Sequence, residues 1–93
     1  MDYWQKDTIQ KADQDLRDAD MAALGRDRNL ALAAVTAAMR RVEHGLGSVA
    51  SVAELRRAIA LMRRAADAAD SNDWSAAHLD IVDARRTLAS IRW

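Results

Sequence analysis

Residues 30–39 read Leu30-Ala31-Leu32-Ala33-Ala34-Val35-Thr36-Ala37-Ala38-Met39, an almost unbroken apolar run in a chain that is 30% charged. A helix that is apolar on every side is normally covered on every side. The run is therefore expected at the centre of a helical bundle, or at a seam where two copies meet through Leu30, Ala34 and Ala37. It is far too short to span a bilayer, which takes about 20 apolar residues.

Everything else in the chain favours helix. Among its 93 residues there is no proline, no phenylalanine and few β-branched side chains, so strands are disfavoured. That length makes one domain, 1–93. Alanine fills 21 positions, which lets helices approach closely but buries little area per contact, at roughly 25 cal/mol per Å². Modest stability is expected, and oligomerisation is a common remedy.

Periodicity divides the chain into four segments. Ile9, Ala12, Leu16, Ala19 and Ala23 form a narrow 3-4-3-4 stripe on a helix over about 3–24. Gly25 and Asp27 offer a stop and a cap, and a second helix runs over about 28–44. Leu30, Ala34 and Ala37 would continue the first stripe in phase if the glycine did not break it. The alternative is therefore a single helix over 3–44 with a C-terminal hairpin, as a dimer. Gly45 and Gly47 end the second helix, and Ser51-Val52-Ala53-Glu54 is a capping box for a third over about 52–70. Ser71-Asn72-Asp73 turns the chain into a fourth helix over about 74–92, with Trp74, Ala77, Ile81, Ala84, Leu88 and Ile91 on its inner face. The prediction is an all-α four-helix bundle with helix 28–44 central. Asn72-Asp73-Trp74 faintly resembles the start of a helical-repeat hairpin, but no second copy and no repeat period are apparent.

Cysteine is absent, which excludes disulfides and thiolate chemistry. His44 and His78 each lack a second ligand at i+3 or i+4, and the serines have no evident base, so no catalytic, cofactor or metal site is expected. The first residues have neither the basic nor the apolar region of a signal peptide, and a soluble cytoplasmic protein is the expectation. Twelve Arg against two Lys, and twelve Asp against two Glu, fit a GC-rich bacterial or phage source.

The charges sum to zero but are uneven, at −3 over 1–27, +5 over 28–66 and −2 over 67–93. Pairing of the outer helices with the middle ones is the plain explanation, with Arg63 and Arg64 also meeting Asp67 one turn on. The sharper one is that Arg56, Arg57, Arg63 and Arg64 form two ridges that grip an anionic partner. Helix 74–92 carries a second, outer stripe of Leu79, Val82, Arg86 and Trp93 that must pack on something. In an up-and-down bundle Tyr3 and Trp4 fall near Trp93, as an end plug or an interface patch. These features point to a non-enzymatic module that binds a larger protein stoichiometrically. A small bacterial or phage regulator or inhibitor, such as an antagonist of host defence, is one form of it. A nucleic-acid binder using the arginine ridges and a structural homo-oligomer are the alternatives.

Overall fold

A computed structural model describes residues 3–46 and 52–91. They form four helices, α1 (Tyr3–Leu24), α2 (Arg28–Leu46), α3 (Val52–Asp70) and α4 (Trp74–Ala89), and no strand is present among them. The helices run up and down in a ring of 36 × 20 × 17 Å, each packing mainly on its two neighbours. Ser51, the first residue of the capping box, and Gly47 lie outside the described residues, while Glu54 falls in the first turn of α3.

The chain breaks after α1, so the single helix over 3–44 does not form. Arg26, not Gly25, takes the left-handed conformation, at φ 55°. The Arg26 amide donates to the Ala23 carbonyl (3.0 Å) and the Asp27 amide to that of Ala22 (2.8 Å), which closes the helix end with two reversed bonds. Asp27 then caps α2 by accepting from the Leu30 amide at 3.1 Å. The turn between α3 and α4 repeats this bond for bond. Asn72 is left-handed at φ 58°, the Asn72 and Asp73 amides donate back to Ala69 and Ala68, and Asp73 accepts from the Ala76 amide.

The repetition extends to the core, against the expectation that the chain has no repeat. A shift of 46 residues carries Asp27 onto Asp73. It also carries Ala12, Leu16, Ala19 and Ala23 of α1 onto Ala58, Met62, Ala65 and Ala69 of α3. Ala31, Val35, Ala38 and Val42 of α2 fall on Ala77, Ile81, Ala84 and Leu88 of α4. All sixteen are buried. The molecule is two like hairpins packed about a pseudo-twofold axis along the bundle. The relation is faint in the letters because its main carrier is alanine, which recurs throughout this chain by composition alone.

Helix α2 is not central. It occupies one corner of the ring, burying Ala31, Val35, Ala38, Val42 and Leu46 while Leu30 and Ala33 face water. Alanine explains the exposure of Ala33 but not that of Leu30: a methyl side chain raises the mean hydropathy of a helix yet exposes little area, so an apolar run built on it need not be covered all round. Helix α2 also continues through Gly45 to Leu46. That glycine is a point of close approach to α1, since a Cβ there would fall 2.6 Å from Thr8 Cγ2. At the far end α4 stops at Ala89, short of the expected 92, where the Ser90 hydroxyl donates to the Thr87 carbonyl (2.8 Å).

Candidate functional site

The acidic helix α1 is stitched to both neighbours; its pairing with α2 follows the charge distribution, while its pairing with α4 joins two segments that are both net negative. Arg41 of α2 donates to Asp15 at 2.9 Å, and Arg85 of α4 donates to Asp13 at 2.7 Å. Asp13 also pairs with Arg17 one turn along (3.1 Å). The hydrogen bond to Asp13 raises the pKa of Arg85 above its ordinary value; desolvation opposes it, and the charges of Asp13 and Asp20 add to it. At the turn end Arg28 clasps Asp70, tying α2 to the end of α3.

The pseudo-twofold sets the α1–α4 seam beside its counterpart, α2–α3. Asp13 stands where α3 has Ile59, and Arg85 where α2 has Met39. Ile59 and Met39 both pack on the core. The ion pair fills its seam less well and leaves a groove of ≈ 500 Å³, bordered by Ile9, Val82, Arg86, Leu88 and Ala89. This is where the outer stripe of α4 lies. Val82 is half-buried in the groove, Arg86 is an exposed part of its rim, and Leu79 stands outside it at 62% exposure. Trp93 lies outside the described residues, while Tyr3 and Trp4 are both about three-quarters exposed, at 75% and 73%.

All four arginines of the α3 ridges are exposed. Arg63 and Arg64 do not pair with Asp67. They lean across the seams, Arg63 towards Glu43 of α2 (3.9 Å) and Arg64 towards Asp80 of α4 (3.7 Å), while Asp67 faces solvent. Both contacts are long; the Arg63–Glu43 pair is well hydrated and such pairs contribute little, whereas Asp80 is buried and only the Arg64 end lies in water. Arg56 and Arg57 make no ion pair among the described residues. Arg57 and Arg86 border one groove together with Glu54, Thr87 and Ser90.

The proposed seam residues lie on the other hairpin. Leu30 is 61% exposed, and Ala34 and Ala37 are half-buried. Leu30 and Ala34 line a groove of ≈ 710 Å³ between α1 and α2, with Met21, Ala22, Gly25 and Ala33 along it and Asp15, Asp18 and Asp27 on its rim. Met21, 69% exposed, carries a signal the periodicity overlooked: it is a large apolar residue off the buried stripe of its own helix. The sister hairpin has Asp67 in its place and Ala76 in place of Leu30.

Spacing also could not reveal the partner of His78, which comes from another helix. Its Nδ1 is 2.6 Å from Asp20 Oδ1 across the α1–α4 seam. Ser75 borders the same pocket with Trp74, but no hydrogen bond joins it to His78. Among the described residues no three His, Asp or Glu side chains converge as metal ligands, and no helix is long and apolar enough to cross a membrane. Comparison with family models, curated proteins and solved structures finds no match for this chain.

Proposed function

We propose that this protein is a non-enzymatic interaction module that acts by stoichiometric binding to a larger protein, in the manner of a small regulator or inhibitor. The observation that carries the reading is the convergence of Met21 and Leu30, both mostly exposed, on one groove of a bundle whose core is already filled. Large apolar side chains gathered on a folded surface mark interaction sites. The positions they occupy are served by an aspartate and an alanine in the like hairpin, so the fold itself does not require them. Leu79 and the arginine ridges of α3 offer a second face, on the opposite hairpin.

Affinity capture with tagged protein, with and without nuclease, tests the reading. A protein captured equally in both, and lost with Leu30→Asp but not with a substitution such as Lys6→Ala, supports it. Capture that disappears with nuclease points instead to nucleic acid. That second reading rests on Arg56 and Arg57, whose guanidinium groups have no carboxylate partner among the described residues. It requires affinity for an oligonucleotide that falls steeply with salt and is lost when Arg56, Arg57, Arg63 and Arg64 become Ala.

A further inference from the structure

We propose that the groove between α1 and α2 is a docking site for a basic amphipathic helix, an assignment that rests on the protein-binding reading and names the class of partner. The groove has two chemistries. Its floor is apolar and shallow, formed by small residues that let a partner's backbone come close, with Met21 and Leu30 rising from it as exposed knobs. Its rim is acidic, and no Lys or Arg lines it.

The three rim carboxylates differ in what they have left to give. Asp15 is held by Arg41, and Asp27 uses Oδ1 to cap α2. Asp18 accepts only a neutral hydrogen bond from Gln14 (3.1 Å) and forms no ion pair among the described residues. An anionic or nucleic-acid partner meets repulsion there, and a second copy docking through the same face would set these carboxylates against their twins. A cationic partner meets neither cost. Along α1 the groove runs from Asp15 to Gly25, about 15 Å at 1.5 Å per residue, which matches a helical segment of roughly three turns. Such a segment would place apolar side chains at i, i+4 and i+7 between Met21 and Leu30, with Lys or Arg beside Asp18. The other hairpin is built differently: Arg64 stands in place of Asp18 and Leu61 in place of Asp15, so the acidic apolar groove belongs to α1–α2.

The test uses two fluorescent helical peptides that share one leucine stripe, one with lysine on its polar face and one with glutamate. Binding to the full chain is followed by anisotropy. The lysine peptide is expected to bind at least tenfold more tightly than the glutamate peptide, and to weaken as salt rises. Met21→Asp and Leu30→Asp should each weaken it about tenfold or more, and Asp18→Lys several-fold. Leu79→Asp, on the opposite face, should leave it unchanged. All these positions are exposed, and unaltered circular dichroism and melting will show that the variants fold. Equal binding of both peptides, or lysine-peptide binding indifferent to Met21 and Leu30, overturns the proposal. So does a dimer in sedimentation that Leu30→Asp dissolves, since the groove would then be filled by a second copy. Failure with the peptides while Leu30-dependent capture of a protein persists rejects only the basic helix; failure of both rejects the protein-binding reading as well.

Discussion

Replacing Asp13 with Ile and Arg85 with Met would give the α1–α4 seam the side chains that its counterpart already uses. The pair is partly buried, with Asp13 26% and Arg85 34% exposed, so it sits in water well enough to be worth only about 0.5–1 kcal/mol. Losing the Asp13–Arg17 contact costs about 0.3–0.5 kcal/mol more. Against these losses, the new Ile and Met should cover roughly 100 Å² of apolar surface in the groove, or ~2.5 kcal/mol at roughly 25 cal/mol per Å². The double variant is expected to gain about 1–1.5 kcal/mol, raising Tm by about 5–12 °C for a domain of this size. The single change Asp13→Ile should behave differently, because it leaves the Arg85 guanidinium half-enclosed without its acceptor, at a cost of about 1–2 kcal/mol. Urea denaturation of the wild type, both single variants and the double variant closes a thermodynamic cycle. A double variant less stable than the wild type would show that the pseudo-twofold is not a guide to packing. A coupling near zero would show that the two residues do not act as a pair.

Two further changes probe the turns and the closest helix contact. Arg26→Gly should stabilise the protein by about 0.5–1 kcal/mol in urea melts, because Arg26 is held left-handed at φ 55° and glycine adopts that conformation without strain. Gly45→Ala should destabilise it despite better helix propensity, since the added methyl group meets Thr8, whose hydroxyl is tied to the Trp4 carbonyl at 2.8 Å. The net loss should be about 1–2 kcal/mol, and pairing it with Thr8→Ala should restore most of it.

Much of the bundle is legible in the sequence because stripe positions and caps are local signals. The stripe Ala12, Leu16, Ala19 and Ala23 is buried as read, and Asp27 and Asp73 cap the helices they precede. Legibility fails where a property depends on size or on a distant partner. The run around Val35 looks central by hydropathy, but the exposure of Ala33 costs little, and a corner position suffices. Arg63 and Arg64 have an acid one turn away in sequence, yet carboxylates across the seams lie in better reach. The groove residues divide in the same way: Leu30 and Ala34 stood out as apolar positions in phase with α1, while Met21 and the acidic rim emerge only once α1 folds back beside α2.

Because the ring has an even number of helices, Tyr3 and Ile91 share one pole and both tight turns share the other. Force applied between those two points would load the α1–α4 seam in a peeling geometry, beginning beside the groove at Ile9 and Leu88. Bonds broken in succession yield at lower tension than bonds sheared together. This bundle therefore has a mechanical weak line where the Asp13–Arg85 pair replaces apolar packing, and under tension its hairpins should part as intact units before either one unravels.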